Sequence, residues 1–112
     1  MADNCIFCNI INREANSEII AETDNVIVIR DIMPKAPVHL QVISKQHIPS
    51  VNDLTEDDSV LIGQMILAAQ SAARASGVAE SGYKLVWNVG RDGGQVIPHI
   101  HIHVLGGKQL EE

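Results

Sequence analysis

The chain has 112 residues, with eight Lys and Arg against fourteen Asp and Glu for a net charge of −6; this length fits one domain, spanning 1–112. Its 15 Ile, 11 Val, 7 Leu and 1 Phe make up about 30% of the residues, above the roughly 20% below which chains stay disordered. No apolar run exceeds five residues, against the roughly 20 that a bilayer span needs, the N-terminus has no signal-peptide pattern, and no basic cluster is present to neutralise a nucleic-acid backbone.

These properties point to a cytoplasmic protein with neither membrane nor nucleic-acid polymer among its partners. A small anionic ligand, which needs only a few local donors, stays compatible with them.

In chain order, residues 5–12 read as a short helix carrying Cys5 and Cys8. Two thiols this close cannot cross-link separate parts of a fold, so the pair reads first as a metal or redox motif. Its place near the N-terminus, with no strand before it, is unlike a thioredoxin-type site. Strands rich in Ile and Val are predicted at 18–22, 26–30 and 38–44. The last two are separated by Asp31–Pro37, a loop stiffened by two prolines.

Thr55, as N-cap, and the acidic residues after it open one long helix over 55–76. This helix places Leu61, Met65, Ala68, Ala72 and Ala75 along one side and stops at Gly77. A strand at 83–89, a glycine-rich loop at 90–95 and a final strand at 99–105 complete the pattern. The fold class is α+β, with a mostly antiparallel sheet of about five strands, one long helix and a short N-terminal helix.

The final strand carries the chemistry. His99, His101 and His103 alternate with Ile100, Ile102 and Val104, which on a strand sends the three imidazoles to one face, about 6–7 Å apart, and the apolar side chains to the other. Such a face suits a metal site with a third ligand, or nucleophilic catalysis by a neutral imidazole. Gly93-Gly94-Gln95 just upstream offers backbone N–H groups for close approach to a phosphate, which favours a phosphate ligand. His39, opposite in facing to Val38, Leu40 and Val42, need not be buried.

Asn88, Asp92-Gly-Gly-Gln95 and His99-x-His-x-His103 followed by Val-Leu-Gly-Gly107 closely resemble the histidine triad (HIT) family, in its Hint-like branch of nucleoside phosphoramidases and nucleotide hydrolases. The resemblance also covers Cys5–Ile11, Asp31–His39 and Val42–His47, in order and nearly end to end. It implies a HIT-like fold and a nucleophile at His101, with His103 and His39 as partners around the phosphate. It places Asp31 on the ribose hydroxyls, Asn88, Gly94 and Gln95 beside the phosphate, and Ile6, Phe7, Ile10, Ile29 and Ile32 around the nucleobase. Some members, and the related galactose-1-phosphate uridylyltransferases, complete a Cys pair with two histidines. The matching positions here are His47 and His99, which implies a structural zinc on Cys5, Cys8, His47 and His99.

The resemblance further implies a homodimer, paired through the long helix and the strand after it. The expected substrate is a purine mononucleotide conjugate, cleaved at the α-phosphate through a nucleotidyl-histidine intermediate. Dinucleoside polyphosphate hydrolysis, nucleotidyl transfer and a nucleotide-binding regulatory module are the alternatives. The sequence departs from the resemblance at Val96, where several Hint-like proteins have a polar or hydroxyl-bearing residue, and in a tail only five residues long after Gly107.

Overall fold

The computed structural model describes residues 5–112. Along the chain come α1 (Ile6–Ile11), β1 (Ile19–Glu22), β2 (Val26–Arg30), β3 (Val38–Ser44), α2 (Ser59–Ala75), β4 (Tyr83–Val86) and β5 (His101–Gly106). The strands form one sheet in the order β1-β2-β3-β5-β4, every neighbouring pair antiparallel. The α+β expectation holds.

Strands β2 and β3 are largely buried because both of their faces are covered. Val26, Val28, Leu40 and Val42 join Ile102 and Val104 of β5 in a core beneath α2, whose Met65, Ala69, Ala72 and Ala73 are buried against it. Ile27, Ile29 and Ile43 point the other way and meet Cys5, Phe7, Cys8 and Ile10 from the α1 end. The sheet therefore separates two cores, and the histidine face lies on the α1 side.

The short α1 begins at Cys5, whose sulfur accepts from the Cys8 N–H at 3.5 Å. Six residues are too few for a helix to persist unaided, so burial of Phe7, Cys8 and Ile10 holds it. The long helix starts later than expected. Thr55 caps a 3₁₀ turn at Glu56–Asp58 in a reciprocal box with Asp58, and α2 proper begins at Ser59. Its buried stripe is also rotated: Ala69 and Ala73 replace Ala75, which is exposed. Alanines at those positions let the helix axis approach the sheet closely. Gly77 ends the helix as expected, at φ +78 in the left-handed region.

Two strand boundaries differ from the sequence reading. β4 ends at Val86 rather than at 89, because the chain leaves the ladder for a loop closed by Asn88 Nδ2 donating to the Gly93 carbonyl at 2.7 Å. β5 starts at His101 rather than at 99. Pro98 has no N–H for a ladder, and the N–H groups of His99 and Ile100 go to Ile97 and Ile48 carbonyls. His99 is thus outside the strand, and only His101 and His103 share its alternation.

Candidate active site and metal centre

Strand register sets the site. On the α1 face, Ile27, Ile43 and His101 make one cross-strand row, and Ile29, Gln41 and His103 make the next. His39 and Asp31 follow at the end of β3 and in the loop beside it, tied by the Asp31 N–H donating to the His39 carbonyl at 3.0 Å. His39 is only 3% exposed, against the expectation that it need not be buried. Its neighbours Asp31 and His103 cover it.

Hydrogen bonds assign each imidazole's proton. His39 Nδ1 accepts from the Lys35 N–H at 3.1 Å, so its Nε2 carries the hydrogen and donates to His103 Nδ1 at 2.9 Å. His103 in turn keeps its own hydrogen on Nε2. His101 Nδ1 donates to the His99 carbonyl at 2.7 Å, which leaves its Nε2 lone pair bare. The His101 ring is edge-on to Phe7, centroids 5.0 Å apart.

Burial holds His39 and His101 below the usual imidazole value, although Asp31 works the other way on both and the His99 carbonyl on His101. Burial first, then His101 and His39, pushes His103 down to about 4. Burial would raise Asp31, but hydrogen bonds from the Met33 N–H (2.8 Å) and Gln41 (2.5 Å), with His39 and His103 nearby, leave its carboxyl lowered. At neutral pH the site therefore holds neutral imidazoles beside an ionised carboxylate, 3.3 Å from His39 Nε2.

The other expected residues divide. Phe7, Ile10 and Ile29 form a buried apolar wall, while Ile6 is 44% and Ile32 88% exposed. Asn88 and Gln95 build the 88–95 loop. The Gln95 side-chain Oε1 accepts from the Gly90 N–H, and its Nε2 donates to the Pro49 and Ile97 backbone carbonyls. Gly94 turns the loop at φ +83. Gly93 is required for space, since a Cβ there would sit 2.2 Å from the Val89 carbonyl oxygen. Val96 is exposed beside this loop.

Gln41 escaped the sequence reading. Its signal was a second polar side chain two residues after His39, and so on the same face of β3.

Cys5, Cys8, His47 and His99 bring four donor atoms together within 4.8 Å. His99 Nε2 donates to the Ser44 carbonyl at 2.7 Å, so its Nδ1 lone pair faces the thiols. Nδ1 lies 3.2 Å from Cys5 Sγ, 3.6 Å from Cys8 Sγ and 3.1 Å from His47 Nδ1. Zinc bonds of about 2.0–2.3 Å in a tetrahedron set ligand separations of roughly 3.3–3.8 Å. The donor set fits zinc in type, number and spacing. Burial and then Cys5 push the Cys8 thiol up to about 11, so a cation is needed to hold its thiolate.

Two surface depressions, of about 770 and 500 Å³, lie at the β4–C-terminal edge and between α2 and the β1–β2 turn, and no histidine lines either. The converging side chains mark the site.

A carboxylate beside two linked imidazoles, and a third imidazole with one bare nitrogen, can support nucleophilic chemistry, and the chain belongs to the HIT family. The HIT domain model matches residues 12–110. The chain is 44% identical, over 98% of its length and 92% of the relative's, to the purine nucleoside phosphoramidase of Escherichia coli strain K12. A HIT family hydrolase from Legionella pneumophila superposes with TM-score 0.95 at 44% identity, covering 96% of each chain. A zinc-bound histidine triad protein from Mycobacterium smegmatis superposes with TM-score 0.81 at 27% identity, over 96% of this chain and 78% of that one.

Proposed function

We propose that the protein hydrolyses purine nucleoside phosphoramidates or related nucleotidyl conjugates through a nucleotidyl-His101 intermediate. The observation that carries this reading is the bare Nε2 of a buried, neutral His101, locked by the His99 carbonyl. Nε2 attacks the α-phosphorus, the phosphorus–nitrogen bond to the substrate amine breaks, and the departing amine takes a proton from solvent. Water then attacks the same phosphorus, gives up a proton to solvent, and the bond from phosphorus to Nε2 breaks with its electron pair returning to Nε2. His103, its hydrogen held on Nε2 by His39, donates to the phosphoryl oxygen as charge builds there. Asp31 accepts the ribose hydroxyls, and Phe7, Ile10 and Ile29 give the base an apolar wall, with Ile6 and Ile32 closing on it from the exposed side. Asn88, Gly94 and Gln95 shape the phosphate-side loop.

Zinc on Cys5, Cys8, His47 and His99 would have all four positions filled by protein and so supply folding free energy rather than Lewis acidity. A reducing cytoplasm would keep both thiols available to it. The reading includes a homodimer through α2 and β4. β4 is an edge strand, and Val60, Ile66, Leu67 and Leu85 are exposed apolar residues on these two elements.

The test is a turnover screen of the purified protein across adenosine phosphoramidate, diadenosine polyphosphates and acyl-adenylates. Highest kcat/KM on the phosphoramidate is expected. A preference for the polyphosphates would transfer the assignment to dinucleoside polyphosphate hydrolysis, and no turnover of any would leave a nucleotide-binding module.

A further inference from the structure

Gln41 is in an unusual position for a polar residue. It stands at the centre of the site face, with Ile29 opposite on β2 and His103 opposite on β5. Its Nε2 donates to Asp31 Oδ2 at 2.5 Å. Its Oε1 is buried without a hydrogen-bond partner among the described residues. Reversing the amide would set its oxygen against the ionised carboxylate, so the orientation is fixed. An apolar side chain would fill the same row and leave no acceptor unpaired. A buried acceptor without a partner destabilises a fold, whereas the donor at the other side of the amide has an ionised partner.

That donor acts on a carboxylate with competing demands. Asp31 Oδ1 takes the Met33 N–H at 2.8 Å. Oδ2 also lies 3.3 Å from His39 Nε2, whose hydrogen is directed to His103 Nδ1 at 2.9 Å. Without Gln41, the freed Oδ2 would rotate towards that hydrogen, and the carboxylate edge would no longer be held in one plane.

We propose that Gln41 is a positioning residue for nucleotide recognition, pinning Asp31 Oδ2 so that the carboxylate presents a fixed edge to a ribose diol and leaves the His39–His103 bond intact. This rests on the assignment of Asp31 to the ribose in the proposed function. The residue touches neither phosphate nor base; it acts through Asp31.

The test compares kcat/KM for adenosine 5′-phosphoramidate and its 2′,3′-dideoxy analogue in wild type, Gln41→Leu, Gln41→Met and Asp31→Ala, with a thermal melt of each. Both Gln41 variants should lose about tenfold of the preference for the ribonucleotide, the loss expected when one charged hydrogen bond is misplaced. The dideoxy substrate should change by less than about threefold on the same grounds. Melting temperatures should stay close to wild type, since the bond lost to Asp31 and the unpaired oxygen removed with it act in opposite directions. A purely structural role would instead lower the melting point and both substrates together. If Asp31→Ala loses the ribose preference while Gln41→Leu and Gln41→Met retain it, the proposal for Gln41 is overturned alone. If Asp31→Ala retains the preference, the ribose assignment falls and takes the proposal with it.

Discussion

An imidazole attacks phosphorus only through a nitrogen that has no hydrogen, and in His101 one backbone carbonyl makes that choice. Replacing His101 by Ala should therefore abolish turnover while nucleotide affinity stays within about tenfold, because the change removes the attacking atom and little of the pocket. Residual activity above about a tenth of wild type would assign the nucleophile elsewhere. Protonation gives a second expectation. His103 sits at about 4 when folded, against an ordinary 6.5, so between those values the unfolded chain binds a proton that the folded chain refuses. Stability fully present above about pH 6.5 is then lost as pH falls towards 4, and lowered His39 adds in the same direction. Melting curves from pH 7.5 to 4.5 should show this decline, and His103→Gln should flatten it; equal slopes would remove His103 as its source. At this scale the histidines and thiols were legible because their spacing carries chemistry. The burial of His39 and the part played by Gln41 were not, since both depend on which side chains cross from neighbouring strands.

Elements were legible where the sequence punctuates itself and less so where hydrogen bonding decides. The Gly77 stop and the three Ile- and Val-rich strands come directly from local propensity. The start of β5 depends on where the His99 and Ile100 N–H groups go, and the end of β4 on a loop-closing side chain from Asn88. The helix stripe keeps Met65 and Ala72 but takes in Ala69 and Ala73 instead of Ala75, because alanines on several sides of α2 offer equally small contacts. The shorter α-helix, α1, has six residues, and Cys5 at its N-cap and Cys8 within it face His47 and His99 from later in the chain. Zinc at that junction would pin α1 to the approach of β5. Chelation should lower the melting temperature by roughly 10 °C or more, given the large contribution of structural zinc to folding, while turnover at low temperature continues. Metal analysis and chelation of one sample check this: absence of zinc dismisses the site, and immediate loss of activity at an unchanged melting point makes the ion catalytic.

For the whole molecule, the sheet ends in β4, and the outer side of α2 carries Val60, Ile66 and Leu67 at 72, 42 and 62% exposure. These are side chains that the proposed homodimer would cover. Sedimentation at micromolar concentration should give about twice 12.2 kDa, and Leu67→Glu with Leu85→Glu should return the single-chain mass. A wild-type species at 12.2 kDa would dismiss the dimer. The layer order of the fold was legible in the alternation of the final strand. The apolar outer face of α2 was not separated from its inner face by sequence, because both are rich in small or aliphatic residues.

Adjacent positions on β3 and β5 answer to different masters. Leu40, Val42, Ile102 and Val104 face the core beneath α2, and the residues between them face the chemistry. A substitution on one side therefore meets a different set of neighbours from a substitution on the other, although the two are a single residue apart. Engineering for durability can start at the even-numbered positions and engineering for recognition at the odd-numbered ones.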